Sequence, residues 1–176
     1  MKAYMALSCK VGAFGTVLNE LKQMSLCART LNEREPDISL LFGPFDILVQ
    51  FNELKDLDEF ISKWFTPIRM ITEKEPMIEK TQTWLVISEG KSSTEEPFAF
   101  LFLNTQPRNL EKVQNELQAI PEVLSVDTVF GPYDVICAIK ASDKADLSNV
   151  ISKIQTEVPY IQGTLTLIVA PSAKPK

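Results

Sequence analysis

Two short turns hold the residues of this chain whose types and spacing could do chemistry. Gly43-Pro44-Phe45-Asp46 returns 88 positions later as Gly131-Pro132-Tyr133-Asp134. Because glycine has no side chain, a ligand can approach the backbone there, and the aspartate supplies a carboxylate that could pair with an ammonium group. A structural role is the alternative, since Gly-Pro makes a tight turn that aspartate closes on nearby backbone N–H groups.

Threonines near the end of each copy could add hydroxyl groups to these turns. Thr81 and Thr83 are separated by one residue, as are Thr164 and Thr166. Threonine also favours strands through its branched Cβ, so a purely structural role is again the alternative. The predicted binding residues are Gly131, Pro132, Tyr133, Asp134, Thr164 and Thr166 in the second copy, and Gly43, Pro44, Phe45, Asp46, Thr81 and Thr83 in the first.

The sequence lacks the residue patterns of common catalytic centres. It contains no histidine, which removes the commonest general base and the usual haem ligand. Its three cysteines have neither metal-ligand spacing nor the regular spacing of a disulfide framework. No glycine-rich phosphate loop and no nucleophile-plus-base pattern is visible. We therefore predict a protein that is not an enzyme and that uses no cofactor or metal.

Charge and hydropathy predict where the chain resides and what it does not touch. There are 18 basic and 23 acidic residues, a net charge of −5, and no basic stripe of the kind that neutralises phosphates. No apolar run reaches the roughly 18 residues of a membrane span, and the start of the chain does not read as a signal peptide. The cysteines are typical of reduced thiols. We predict a cytoplasmic protein that binds neither nucleic acid directly nor a membrane.

The repeat extends beyond the turns and predicts two copies of one small domain. Residues 19–21 recur at 115–117, and residues 61–63 recur at 151–153, in the same order as the turns. The predicted division is a first domain at 1–87, a polar and flexible linker at 88–97, and a second domain at 98–171.

The second copy shows the element order most clearly. An apolar run at 98–103 predicts a strand, and apolar residues at 110, 113, 117 and 120 have helical spacing that ends at Pro121. Two strands at 123–130 and 133–139, a helix capped by Asp143 or Asp146, and a strand at 164–170 follow. The order βαββαβ predicts an α+β, ferredoxin-like domain with both helices on one face of an antiparallel sheet.

Two predicted strands are apolar on both faces, although the helices cover only one. Segments 98–103 and 165–170 therefore need a second partner. The linker of ten residues can span up to about 33 to 36 Å. We predict that the sheets of the two copies pack face to face as an intrachain pseudo-dimer, burying Phe100, Phe102, Leu165 and Leu167 or their alternating neighbours, with a covering loop as the alternative.

The first copy is enlarged in two places. About eight extra residues lie between Met24 and Phe42, and about seven lie between Lys63 and Ile78. The stretch 64–76 mixes aromatic, aliphatic and charged residues. It predicts either a contact surface or a longer loop or helix extension packed on its own domain.

Residues 120–136, with Pro-Glu-Val followed by Gly-x-x-Asp, and residues 161–169, with Thr-x-Thr, resemble a known family. They are similar to the effector-binding (RAM) domain of the Lrp/AsnC, or feast/famine, transcription regulators. In the first copy only 42–49 and 81–87 match. The resemblance implies domains that pair through their sheets, dimers that form rings, and effectors, often amino acids, bound at the Gly-x-x-Asp loop.

Full regulators of this family carry a helix-turn-helix domain before the effector domain. The first predicted strand here begins at about Ala3, which leaves no room for one. The resemblance thus implies a tandem sensing and oligomerisation module without its own DNA-binding domain. Its expected partners are a small effector, which in the family's pattern is an amino acid, further copies of the pseudo-dimer, and other Lrp/AsnC-type regulators. The alternatives are a ligand-free assembly module and a cofactor-free oxygenase of the dimeric α/β-barrel group.

Overall fold

The structure, a computed structural model, describes residues 1–72 and 75–171. The chain forms two compact units, Met1–Thr83 and Trp84–Lys176. Each unit contains strands and helices in the predicted order, so the fold is α+β and ferredoxin-like. In the part of the chain that is described, no helix is long and apolar enough to cross a bilayer.

The first unit builds its sheet around a central strand. The elements in chain order are β1 (Ala3–Cys9), α1 (Phe14–Thr30), β2 (Asp37–Phe42), β3 (Ile47–Phe51), α2 (Leu57–Glu59), a π-helix (Phe60–Phe65), α3 (Thr66–Arg69) and β4 (Ile78–Glu89). The central strand is β3, which pairs antiparallel with both β1 and β2, with Met5 opposite Val49 and Ile38 opposite the same valine.

Both enlargements of the first copy add helix or pack on their own unit. α1 has 17 residues, and the Ser25 hydroxyl beyond its middle donates to Glu35 at 2.9 Å. In the second enlargement Trp64 is buried, and its ring centroid lies 5.3 Å from that of Phe51. Ile68 is fully buried as well. The helix-extension interpretation therefore fits the described part of 64–76, while residues 73 and 74 lie outside the described residues.

The second unit has the strand order of a ferredoxin-like sheet. The predicted strands and helices are present, with ends that differ by a few residues. They are β5 (Ala99–Thr105), a 3₁₀ turn (Pro107–Asn109), α4 (Leu110–Ala119), β6 (Val123–Phe130), β7 (Val135–Ile139), α5 (Lys144–Glu157) and β8 (Ile161–Val169). In the sheet, β5 lies between β8 and β7, β7 lies beside β6, and the later part of β4 extends the edge by pairing with β6.

Both faces of β5 are buried, as its composition predicted. Leu101 and Leu103 belong to the core under the helices, together with Val113 and Leu117 of α4. On the opposite face Phe102 is buried, and its ring lies 4.9 Å from that of Trp84. Of the other residues predicted on this face, Phe100 and Leu167 are buried and Leu165 is half-buried. The packing of the two copies through their sheets stays a prediction.

The predicted linker begins as part of a sheet. Ser88 and Glu89 pair with β6, and the N–H of Gly90 donates to the carbonyl of Val126 at 2.8 Å. The N–H of Val126 in turn donates to the carbonyl of Lys91 at 3.0 Å. Strand pairing here uses backbone groups at a sheet edge, where polar side chains are ordinary. Polarity alone therefore did not distinguish this edge from a linker.

Asp143 rather than Asp146 caps the last helix. The carboxylate of Asp143 accepts from the N–H of Asp146 at 2.8 Å, and the carboxylate of Asp146 accepts from the N–H of Ser142. This reciprocal arrangement satisfies backbone donors at the start of α5. In the first unit, Asp56 accepts from the N–H of Glu59 at 2.8 Å in the same way.

Candidate functional site

Asp134 ties the second turn to the end of β5. Its N–H donates to the carbonyl of Leu103 at 2.9 Å, and its carbonyl accepts from the N–H of Val129 at 2.9 Å. Its side-chain oxygen Oδ2 accepts from the N–H of Thr105, also at 2.9 Å. The structural role considered from the sequence is therefore filled by one of the two carboxylate oxygens. Gly131 and Pro132 at the tip are exposed.

Asp46 makes the same three hydrogen bonds in the first unit. Its N–H donates to the carbonyl of Leu7 at 2.8 Å, and its carbonyl accepts from the N–H of Leu41 at 2.8 Å. Oδ2 of Asp46 accepts from the N–H of Cys9 at 2.7 Å. Each partner corresponds to one in the second unit at a shift of 88 or 96, which is the pattern that a duplicated domain predicts. Gly43 has φ 150°, where glycine is favoured.

The aromatic residues of the two turns have different surroundings. Phe45 is buried, and Nζ of Lys80 lies 5.6 Å from the centre of its ring. Tyr133 is half-buried and packs edge-on against Phe102, with 5.7 Å between the ring centroids. The second turn therefore keeps part of its aromatic residue accessible to a ligand, whereas the first turn uses its aromatic residue in the core.

The structure does not place the threonines against the aromatic residue of the turn. Thr164 lies opposite Leu103, whose side chain faces the helices, while Tyr133 packs on Phe102 on the other face. Because β7 and β8 flank β5, the backbones of Asp134 and Thr164 are about two strand spacings, or roughly 10 Å, apart. Thr164 is exposed and Thr166 half-buried. In the first unit, Gly43 and Pro44 are exposed, and Thr81 and Thr83 on β4 are half-buried.

Two residues at the end of β5 belong to the site but were not predicted from the sequence. Thr105 donates its N–H to Asp134 and its hydroxyl to the carbonyl of Tyr160 at 2.8 Å. Asn104, the residue before it, has a side-chain oxygen Oδ1 that is buried and has no hydrogen-bond partner. The repeat shift of 96 aligns Asn104 and Thr105 with Ser8 and Cys9. Following that shift past the end of the predicted strand is the signal that could have found them.

The thiols near these sites are held in the protonated form. Burial, and after it the charge of Asp46, raises the pKa of Cys9 to about 11. Burial raises the pKa of Cys137 to about 12. Neither thiol is a nucleophile at neutral pH, because the thiolate is the reactive form. Within residues 1–72 and 75–171, no three His, Cys, Asp or Glu side chains come together as a metal site.

Comparisons with known proteins identify the second unit. A family model described as the Lrp/AsnC ligand binding domain matches residues 98–176. The HTH-type transcriptional regulator FL11 of Pyrococcus horikoshii is 28% identical over 76 residues, which are 43% of this chain. The chain spans about half the length of this curated relative.

Two solved structures are similar to this chain, one in part of its sequence and one in its fold. FFRP-DM1 is 32% identical over 42% of this chain and 96% of its own, with a TM-score of 0.38. The sirohaem decarboxylase NirDL has a TM-score of 0.67 over 97% of this chain and 71% of its own, at 8% identity, so this likeness shows the fold alone. The family model thus identifies residues 98–176 as a match to the Lrp/AsnC ligand-binding domain, as their resemblance to the family predicted.

Proposed function

We propose that this chain is a small-molecule sensor whose second unit binds an amino acid, or a similar small polar metabolite, at the turn Gly131–Asp134. The observation that carries the proposal is the hydrogen bond that holds the carboxylate of Asp134 within the matched ligand-binding domain. Its Oδ2 is fixed by the N–H of Thr105 at 2.9 Å, so the carboxylate is held in one orientation before a ligand arrives. A carboxylate oriented in this way loses little conformational freedom on binding.

The remaining groups fit the two ends of an amino acid. The second oxygen of Asp134, Oδ1, receives the α-ammonium group through a charge-assisted hydrogen bond. Backbone N–H groups near the exposed Gly131 receive the carboxylate, since no side chain blocks their approach. Thr164 and Thr166 lie on β8, across β5 from the turn and on its helix-facing side, so the ligand contacts proposed here do not include them.

The proposal also covers the effect of ligand binding on the partners of the chain. Binding shifts the assembly of the chain with further copies or its contact with another Lrp/AsnC-type regulator, and these 176 residues act without reading DNA themselves. The net charge of −5 supports an output through protein contacts rather than through phosphates. The turn joins the ends of β6 and β7, so a neighbouring chain that contacts this end of the sheet would respond to a bound ligand.

Asp134→Asn tests the site directly. Asparagine keeps a carbonyl oxygen for the N–H of Thr105, but it offers an NH₂ group where the ammonium needs an acceptor. We first expect a thermal-shift screen of L-amino acids to find a stabilising ligand, because a ligand that binds only the folded state raises its stability. Calorimetry should then show Asp134→Asn weakening binding by about ten- to a hundredfold.

A surface charge supplies the matched control. Asp58 is exposed and distant in sequence from both turns, so Asp58→Asn removes the same charge and should leave the affinity unchanged. If no amino acid stabilises the wild type, or if Asp134→Asn binds as tightly as the wild type, the turn has a structural role only. The ligand-free assembly module is then the better description.

A further inference from the structure

We infer that Asn104 is a ligand-binding residue of the second unit and that one chain binds one ligand, at the second turn only. The inference rests on the proposed function and adds to it a contact residue, the chemical group that this residue recognises, and a stoichiometry. The group is a primary ammonium, held jointly by Asn104 and Asp134.

Asn104 lies between the carboxylate and the aromatic residue of the turn. It directly precedes Thr105, whose N–H binds Oδ2 of Asp134 at 2.9 Å. Side chains alternate along a strand, so Asn104 shares the face of Phe102, on which the ring of Tyr133 packs at 5.7 Å. Asn104 therefore lies next to the residue that binds Asp134, and it shares a strand face with the residue that contacts Tyr133.

The side chain of Asn104 has an unused acceptor. Its Oδ1 is buried and has no hydrogen-bond partner, whereas buried polar atoms are nearly always paired. Its neighbour across the strands is Gly163, and a Cβ built on that glycine would meet nothing within 4 Å. The sheet thus leaves room beside an acceptor that lacks a donor.

Two acceptors on neighbouring strands specify the ligand group. A primary ammonium has three N–H donors and no acceptor, so it can serve the carbonyl oxygen of Asn104 and Oδ1 of Asp134 together. A carboxylate or a carbonyl would meet only other acceptors there. The geometry consequently assigns the ammonium end of an amino acid to this corner and its carboxylate to the tip of the turn.

The first unit fills the same position differently. Ser8 corresponds to Asn104, because Cys9 after it donates its N–H to Asp46 as Thr105 does to Asp134. The hydroxyl of Ser8 donates to the carbonyl of Pro44 at 2.9 Å, so this side chain is used to close its own turn. With Phe45 buried as well, the first turn lacks both the unpaired amide oxygen and the accessible aromatic face of the second.

The test uses the full chain and defined probes. The wild type is screened by thermal shift with a mixture of the twenty proteinogenic L-amino acids and with their N-acetylated forms, and stabilising compounds are titrated singly by calorimetry. We expect binding of one ligand per chain, and none of the N-acetylated compounds, which lack the ammonium. Asn104→Ala should weaken binding by about ten- to a hundredfold.

Three comparisons complete the design. Asn104→Ser copies the first turn and should also lose binding, while Ser8→Ala should bind as the wild type does. The melting temperatures of the ligand-free Asn104 variants should stay within a few degrees of the wild type. A large drop in both would make Asn104 a folding residue and overturn the inference.

The outcomes separate this inference from the function on which it rests. If the wild type binds and Asn104→Ala binds equally well, Asn104 is not a contact residue although the sensor proposal stands. Two ligands per chain would overturn the single site. If no amino acid binds the wild type at all, the proposed function fails first and takes this inference with it.

Discussion

The aspartate at the end of each turn fixes the backbone before it could meet any ligand. Asp46 and Asp134 each bond to two carbonyl or N–H groups through the main chain and to one N–H through Oδ2. A side chain that closes a turn and still has a second oxygen can serve structure and binding together. For these residues the structural and functional interpretations are therefore complementary.

Removing the side chain separates the two roles at the level of stability. In Asp134→Ala the N–H of Thr105 loses its acceptor, and in Asp46→Ala the N–H of Cys9 does. We expect each change to lower the free energy of unfolding by about 1 to 3 kcal/mol, the cost of an unpaired, largely buried donor. Asp134→Asn should cost less, because its carbonyl oxygen still accepts. Urea unfolding curves measure all three, and equal losses for Ala and Asn at 134 would contradict the account.

The three cysteines should differ sharply in reactivity. Cys27 is exposed, Cys9 is half-buried with a pKa of about 11, and Cys137 is buried with a pKa of about 12. Because the thiolate is the nucleophile, we expect Ellman's reagent at pH 8 to modify one thiol quickly and the others slowly. Cys27→Ser should abolish the fast phase. Since both folded pKa values are raised, the stability that these protonated thiols contribute is present below pH about 9 and is lost as the pH rises toward 11 to 12.

At the scale of elements, the strongest hydrophobic patterns predicted the structure and the polar ones did not. The helix at Leu110–Ala119 and the strands of the second unit follow their periodicity, because burial of one face dictates the pattern. Ser88 and Glu89, the last two residues of β4, fall in the predicted linker, because an edge strand needs only backbone partners. Asn104 and Thr105 were missed for a similar reason. The hydrogen bonds of Thr105 join residues 29 and 55 positions apart, which no local pattern records.

Gly90 tests whether that polar edge is truly part of the sheet. A Cβ added there would lie 2.7 Å from the carbonyl oxygen of Val126 and 2.9 Å from Nε2 of Gln114. Gly90→Ala must push the edge away from β6, and we expect a loss of about 1 to 3 kcal/mol in the free energy of unfolding.

Gly15 provides the opposite case for comparison. It lies in α1, where a Cβ would meet nothing within 4 Å. Gly15→Ala should cost nothing or raise stability by up to about 1 kcal/mol, because alanine is the better helix former. Chemical denaturation of both variants decides the matter. A neutral Gly90→Ala would show that residues 88–91 behave as the flexible linker predicted from composition.

At the scale of the whole molecule, charge determines which partners the chain can hold. The sequence has 23 acidic and 18 basic residues, and several of the basic side chains already face acids. Arg29 lies 3.5 Å from Glu35, and Lys153 hydrogen-bonds Glu122 at 3.0 Å, where it lowers the pKa of that carboxyl. Basic groups interspersed with acids cannot follow a phosphate backbone, whose affinity comes from lysines and arginines on one face.

We therefore expect this 176-residue chain not to bind duplex DNA specifically. Sequence is read from base edges by an element that lies in a groove and is oriented by phosphate contacts. The mixed surface charge of this chain disfavours those phosphate contacts. Fluorescence anisotropy with a pool of labelled duplexes at physiological salt should give no saturable, sequence-dependent signal. The measurement is repeated with the stabilising amino acid present, because a ligand could alter assembly and so the charge presented to DNA. Nanomolar binding to one duplex that survives added salt would contradict the prediction and would show that this chain reads DNA directly.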